Sequence, residues 1–267
     1  MAVLGFLGAG RMAKALIGGF TARTACDVQR IIAYDPNSAA LDELRAICSQ
    51  CEIATSPDEV ARQADLVFLA VKPQRVVDAL SPLLACARSF CLVSMAAGYC
   101  IHRLAELSGT QRVVRIMPNT PALVGHSATA VAFGSAATPE DRHQTLNLMR
   151  QVGTVVEVPE PLLDAVTGLS GSGPAYVLTF VQALIDGGVL AGLPCDIARE
   201  LAIQTVAGTI ELIRKSDASL LDLRDQVTSP GGTTMCGLQV LEAGSFETII
   251  SDAIQAATRR AQELAAD

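Results

Sequence analysis

Two stretches of the chain carry residue types that hold anions through backbone groups. The first is Gly8-Ala9-Gly10-Arg11-Met12-Ala13, which follows an apolar run and opens a helical pattern. In a G-x-G-x-x-A loop, the first glycine allows a tight turn and the second lets a pyrophosphate approach the backbone. The small sixth residue lets the helix pack closely on the sheet. We therefore expect a dinucleotide site at the end of the first strand.

The second stretch is Ser229-Pro230-Gly231-Gly232-Thr233-Thr234, directly before a predicted helix. Backbone N–H groups and two threonine hydroxyls would converge there, where the helix dipole favours an anion such as a small carboxylate. An alternative is a plain turn between helices, with the threonines as N-caps. The residues alone leave both interpretations open.

Further candidates lie where other predicted strands end. Asp35 ends the second strand, where a carboxylate accepts hydrogen bonds from ribose hydroxyls and repels a 2′-phosphate, which favours NAD(H). Its alternative role is to form a turn before Pro36. The stretches Ala70–Gln74 and Ser94–Tyr99 follow later strands, and their small residues and backbone donors suit a nicotinamide.

The elements that position these residues divide into two kinds. Up to about residue 158, short apolar runs alternate with helical patterns, which indicates a parallel sheet covered on both faces. We predict an α/β fold, with an N-terminal doubly wound Rossmann domain at residues 1–160 and an all-α dimerisation and substrate-binding domain at residues 161–267.

The first long helix of the second half is predicted to be buried. Residues 174–193 are apolar on nearly every face, so we expect them to pack against a second copy of the chain. The preceding Gly168–Val177, GLSGSGPAYV, is interpreted as a rigid joint rather than a flexible linker. Pro174 suits the first helical position, with Ser172 or Gly173 at the cap.

Composition limits the classes of function. The net charge is −7, and no Lys/Arg cluster is present, so we expect neither nucleic acid nor membrane as a partner. The eight cysteines are scattered, and the start of the chain has no basic n-region typical of a signal peptide. We therefore expect a cytoplasmic protein with reduced thiols. The pair Cys48 and Cys51 has no second pair at metal-ligand spacing, so no metal is expected.

With these motifs in view, the chain resembles the pyrroline-5-carboxylate reductase family over essentially its whole length. The Gly8 loop, AVKPQ, MPNTP, LSGSGPAY and DQVTSPGGTT occur in the order and at the spacing of that family. The resemblance implies a Rossmann domain, a helical dimerisation domain, and homodimers assembled into a larger ring such as a decamer. It also implies hydride transfer from NADP(H) or NAD(H) to the C=N bond of 1-pyrroline-5-carboxylate, giving L-proline.

The resemblance also implies roles for individual residues, and it places Thr234 among those that hold the substrate. No Ser/His/Asp arrangement or carboxylate pair stands out in the sequence, so we predict Thr234 as the catalytic residue, whose hydroxyl either protonates or positions the imine. The residues implied to surround the cofactor are Leu7, Gly8, Ala9, Gly10, Arg11, Met12, Asp35, Asn37, Ser56, Ala70, Val71, Lys72, Pro73, Met95, Ala96, Ala97, Gly98 and Asn119. Those implied to hold the substrate are Glu160, Gln226, Ser229, Gly231, Gly232, Thr233 and Thr234.

Two departures from the family pattern bear on the cofactor. Arg11 stands where the family more often has Asn, and Asp35 stands where members that prefer NADPH often carry a small hydroxyl residue. One rival function is a β-hydroxyacid dehydrogenase or another imine reductase. The hydroxyacid enzymes would be expected to carry a catalytic lysine on the first interdomain helix, and residues 171–188 contain none. A second rival is a nucleotide-binding regulator without catalysis.

Overall fold

The computed structural model describes residues 2–22 and 28–266. Contacts divide the chain into two compact units. The first unit runs to Ser172 and includes the residues from Gln255 onward, and the second is Gly173–Ile254.

The first unit contains an eight-stranded sheet in the order β3-β2-β1-β4-β5-β6-β7-β8. Its strands are β1 Ala2–Leu7, β2 Val28–Tyr34, β3 Glu52–Ile53, β4 Leu66–Leu69, β5 Cys91–Ser94, β6 Val113–Met117, β7 Ser127–Phe133 and β8 Gly153–Glu157. The predicted doubly wound sheet is confirmed. One pair, β6 with β7, is antiparallel rather than parallel, because the short connection between them contains no crossover helix.

Helices cover this sheet on both faces, as the continuous apolar strands predicted. They are α1 Arg11–Ala22, α2 Ser38–Ile47, α3 Pro57–Gln63, α4 Val76–Leu80, α5 Ile101–Ser108, α6 Pro139–Arg150 and α7 Leu163–Val166. α6 begins at a capping box, in which the Thr138 hydroxyl accepts the Asp141 N–H and the Asp141 carboxylate accepts the Thr138 N–H. Burial raises the pKa of Asp141, but hydrogen bonds from Arg112 and Thr138 outweigh it and hold that pKa below its usual value.

The first unit continues past the predicted domain boundary at residue 160. Leu163 in α7 is buried with Met117, Ala130 and Ala132 of β6 and β7. α7 therefore packs on the sheet through Leu163, and the first compact unit ends at Ser172, twelve residues after the predicted boundary.

The joint before the long helix is helical throughout. Thr167–Gly171 forms a π-helical turn, in which the Ser172 N–H donates to the Thr167 carbonyl at 2.9 Å. Pro174 has no N–H to donate to the carbonyl of Ser170, four residues earlier, so a regular α-helical bond is impossible there. α8 begins at Gly173, one residue before the predicted first position, Pro174. Ser172 already has helical backbone angles, so the prediction of an N-cap at Ser172 or Gly173 is wrong.

The second unit is entirely helical, as predicted. Its helices are α8 Gly173–Leu190, α9 Cys195–Lys215, α10 Leu220–Gln226, α11 Thr233–Ala243 and α12 Phe246–Ala266, whose residues from Gln255 belong to the first unit. Its buried core is small and consists of Ile185, Ala198 and Ala202, with Val181 packed against them. Large apolar side chains of α8 are left exposed in the single chain.

Within the described residues, one helical run, Glu160–Leu190, is long and apolar enough to cross a membrane by length and composition. A core helix of a soluble protein passes the same test, so this run is weak evidence for a membrane span.

Candidate active site

The glycine loop after β1 has the geometry that a dinucleotide requires. Gly8 has φ +100°, and a Cβ on it would lie 2.6 Å from the Ala70 carbonyl oxygen, so only glycine fits there. A Cβ on Gly10 would meet nothing within 4 Å, which leaves open space over the start of α1. The cradle therefore fits a pyrophosphate at the N-terminus of this helix.

Asp35 lies against this loop and is held by its backbone. Its Oδ2 accepts a hydrogen bond from the Ala9 N–H at 2.8 Å, and its Oδ1 accepts one from the Asn37 N–H at 2.9 Å. The carboxylate is therefore fixed beside the glycine loop, and each oxygen keeps a further lone pair for a ribose hydroxyl. Arg11, exposed at the start of α1, has no ion-pair or hydrogen-bond partner in the described part of the chain.

Two other predicted cofactor residues act as helix caps. The Asn37 side chain accepts a hydrogen bond from the Ala39 N–H at 3.1 Å and begins α2. The Ser56 hydroxyl accepts one from the Glu59 N–H at 3.4 Å and begins α3. These residues follow β2 and β3, at the carboxyl edge of the sheet.

The predicted loops after β4 and β5 are brought together in the structure. The Tyr99 hydroxyl donates a hydrogen bond to the Pro73 carbonyl at 3.2 Å, which joins Ala70–Pro73 to Met95–Gly98. Gly98 has φ +81°, and a Cβ on it would lie 2.5 Å from the Leu264 carbonyl. Lys72 is exposed, and its ammonium group has no ion-pair partner among the residues described.

Asn119 is buried, and its amide is largely used by the fold. Its Oδ1 accepts hydrogen bonds from the Ala128 N–H at 3.0 Å and the Ser127 hydroxyl at 3.2 Å. Its Nδ2 donates to the Ser170 carbonyl at 3.0 Å. This is the carbonyl that Pro174 leaves without a helical donor. One amide hydrogen of Asn119 is left for the predicted contact with a carboxamide.

Glu160 lies in the first unit, whereas the other predicted substrate residues lie in the second. Its Oε1 accepts hydrogen bonds from Arg115 and from the N–H of Ile101. Sequence reasoning placed Tyr99 within the strand-end stretch Ser94–Tyr99 without giving it a role, and it assigned no role to Arg115. A lone arginine inside the apolar strand β6 was a visible signal, since a buried charge requires a partner, but the sequence does not identify that partner.

The predicted substrate segment forms a tight turn followed by a free helix N-terminus. The Gly232 N–H donates to the Ser229 carbonyl at 2.9 Å, and Gly231 between them has φ +70°. Pro230 and Gly231 are the residues that a type II turn favours.

The N-cap of α11 is Gly232, without a side-chain cap bond, so the interpretation of Thr233 and Thr234 as N-caps is wrong. In the region described, neither threonine hydroxyl has a hydrogen-bond partner. Gln226 ends α10, three residues before the turn. The hydroxyls and the first N–H groups of α11 are therefore available to a small anion.

The described thiols offer no metal site. Burial, with a smaller contribution from Cys48, raises the pKa of Cys51 to about 12, so this thiol stays protonated at neutral pH. Seven described cysteines are free thiols. No group of three or more His, Cys, Asp or Glu side chains that could hold a metal ion occurs among the described residues.

Comparison with known families matches both halves of the chain. Residues 160–264 match the model for pyrroline-5-carboxylate reductase dimerisation. Residues 3–98 match the model described as NADP oxidoreductase, coenzyme F420-dependent.

Individual relatives cover nearly the whole chain. A pyrroline-5-carboxylate reductase of Synechocystis is 43% identical over 98% of this chain and 97% of the relative. The enzyme of Arabidopsis thaliana is 41% identical over 98% and 95%. The Plasmodium falciparum reductase structure with NADP bound is 31% identical, with a TM-score of 0.89 over 99% of this chain and 98% of that one. The chain therefore belongs to the pyrroline-5-carboxylate reductase family.

Proposed function

We propose that this chain catalyses the NAD(P)H-dependent reduction of the C=N bond of 1-pyrroline-5-carboxylate to L-proline, the last step of proline biosynthesis. The observation that carries this proposal is the full-length similarity to reductases of that name. The glycine loop after β1 and the free N-terminus of α11 support it, because the reaction needs a site for a dinucleotide and a site for a substrate with one carboxylate.

The described residues have distinct roles in this reaction. The cofactor, when bound, supplies the hydride, and the glycine loop with the strand-end loops after β4 and β5 would hold it. The free N–H groups and the Thr233 hydroxyl at the start of α11 would bind the substrate carboxylate. Thr234 would hold the imine nitrogen by a hydrogen bond, since hydride addition leaves that nitrogen needing a proton.

The choice between NADH and NADPH is proposed from one side chain. Hydrogen bonds fix the Asp35 carboxylate at the end of β2. Its negative charge repels a 2′-phosphate, so we expect NADH to be used at least as well as NADPH. The structure of the Plasmodium falciparum reductase contains NADP, so NADP(H) is the other candidate cofactor for this chain.

We propose further that the active form is a homodimer, assembled into a larger ring such as a decamer, in the cytoplasm and without nucleic acid or membrane partners. The matched dimerisation domain and the small core of the second unit support self-association. The net charge of −7 argues against binding to nucleic acid.

Initial rates of cofactor oxidation test the function directly. Purified protein is mixed with NADH or NADPH, with and without 1-pyrroline-5-carboxylate, and the loss of reduced cofactor is followed with proline as the product. Tight cofactor binding without turnover would support a regulator instead. Oxidation of a β-hydroxyacid in place of imine reduction would support the dehydrogenase alternative.

A further inference from the structure

The loop after β5, residues 95–100, ends at an unusual helix start. Ile101 is the first residue of α5, and Cys100 before it provides no side-chain cap. Instead, Glu160 Oε1 accepts the Ile101 N–H at 2.6 Å. The carboxylate, fifty-nine residues further along the chain, takes the place of an N-cap side chain. The helix dipole stabilises its negative charge at the N-terminus of α5.

The same oxygen is fixed from its other side. Arg115 Nη1 donates to Glu160 Oε1 at 2.9 Å, and the Arg115 side chain is 8% exposed. A buried guanidinium needs a carboxylate partner, and the pair holds that carboxylate in one place. Glu160 Oε1 is therefore committed to two donors of the protein itself.

A second contact ties the same segment to the same loop. Ala97, in the middle of the loop, packs on the apolar cluster that contains Leu163, with Val158 and Val166 alongside. Residues 158–166 thus share one apolar cluster with Ala97 and accept the Ile101 N–H through Glu160. The Tyr99 hydroxyl donates a hydrogen bond to the Pro73 carbonyl, and this bond connects the β5 loop to the loop after β4.

We propose that Glu160 is a positioning residue, which holds the β5 loop in the form that binds the nicotinamide end of the cofactor, and that it is not a substrate ligand. This assignment rests on the proposed function for the identity of the cofactor. It predicts that loss of the Glu160 side chain weakens cofactor binding before it affects the substrate.

The test compares Glu160→Ala and Glu160→Gln with wild type, using NADH and NADPH as probes. For Glu160→Ala we expect the cofactor KM, and the Kd from fluorescence titration, to rise roughly tenfold or more, because a displaced loop misplaces the reacting ring. The KM for 1-pyrroline-5-carboxylate at saturating cofactor should stay within about twofold. Glu160→Gln should lose less, since its carbonyl oxygen can still accept both hydrogen bonds.

Glu157→Gln is the matched control, because Glu157 lies three residues earlier and pairs with Arg142 at 2.6 Å on the exposed surface. It should leave both constants unchanged. Hydrogen exchange of the folded, cofactor-free enzyme gives an independent reading. The amides of residues 95–104 should exchange faster in Glu160→Ala and not in the control.

Three results would overturn the assignment. A rise in the KM for 1-pyrroline-5-carboxylate with unchanged cofactor Kd would make Glu160 a substrate ligand. Unchanged constants in a folded variant, or unchanged exchange at residues 95–104, would remove the positioning role. Should Glu160→Ala fail to fold, Glu160→Gln carries the same comparison. If wild type does not reduce the imine, the proposed function fails, but cofactor titration and exchange still decide the role of Glu160.

Discussion

At the scale of single residues, the role proposed for Thr234 requires a hydroxyl that the fold does not use. Gly232 is the N-cap of α11, and the Thr234 hydroxyl has no partner among the described residues. A substitution at Thr234 therefore removes no capping bond, which separates a catalytic defect from loss of the helix.

We expect Thr234→Ala to lower kcat by about 10²-fold, in the range for a lost proton-transfer or polarising group, with the cofactor Kd within about twofold of wild type. Thr234→Ser should retain most of the activity, because it keeps the hydroxyl. Thr209→Ala is the control, since the Thr209 hydroxyl bonds the Thr205 carbonyl within its own helix. Steady-state kinetics with 1-pyrroline-5-carboxylate make the measurement.

Unchanged turnover in Thr234→Ala would remove this residue from the mechanism, and a KM that rises together with falling kcat would make it a positioning group.

Asp35 gives the second prediction at this scale. Asp35→Ser should shift the ratio of kcat/KM toward NADPH, because it removes a negative charge from the position of a 2′-phosphate. It also removes the acceptor of the Ala9 N–H, so the KM should rise for both cofactors. Asp42 is an exposed acidic residue on α2 and serves as the control. Asp42→Ser should change neither the ratio of kcat/KM for the two cofactors nor either cofactor KM. A wild-type enzyme that strongly prefers NADPH would contradict the inference.

At the scale of elements, the sequence predicted what depends on local pattern. The alternation of apolar runs with helical patterns predicted the sheet, and the glycine loop followed its first strand. The two-residue strand β3 was missed because it is too short to show a pattern. The antiparallel direction of β7 follows from its short connection to β6, which the pattern of apolar runs does not report. The pairing of Arg115 with Glu160 depends on a contact between residues distant in the chain, which local spacing does not encode.

Asn119 links the segment after β6 to the π-helical turn Thr167–Gly171. In the sequence these are the separate motifs MPNTP and LSGSGPAY. Asn119→Ala leaves the Ser170 carbonyl and the Ala128 N–H without their partner. Both hydrogen bonds are partly buried, and a typical hydrogen bond contributes about 0.5–1.5 kcal/mol net, so we expect the free energy of unfolding to fall by about 1–3 kcal/mol. Urea unfolding at fixed protein concentration measures it, since association contributes to apparent stability.

Asn147→Ala is the matched control for Asn119→Ala, because Asn147 is exposed on α6 and its side chain contacts His143. It should change the free energy of unfolding by less than about 0.5 kcal/mol. Equal stability of Asn119→Ala and wild type would show that water or the π-helical turn satisfies these groups instead.

At the scale of the whole molecule, the apolar composition has to be explained by burial. Apolar residues make up 50% of the chain and charged residues 18%, yet the second unit buries few of them in the single chain. On α8, Leu178 is 71% exposed and Leu190 is 89% exposed. Such a surface is stable in water when a second copy covers it, which agrees with the dimerisation family that these residues match.

This argument predicts that a charge on α8 breaks the assembly. Leu178→Glu should lower the mass measured by light scattering toward the 27.9 kDa of one chain, because burying an unpaired carboxylate costs more than the interface gains there. Leu84→Glu, at a 58% exposed leucine of the first unit, should leave the mass unchanged. An unchanged mass in Leu178→Glu would place the interface elsewhere. Wild-type mass near ten chains would support the decamer, whereas a mass near two chains would limit the assembly to the dimer.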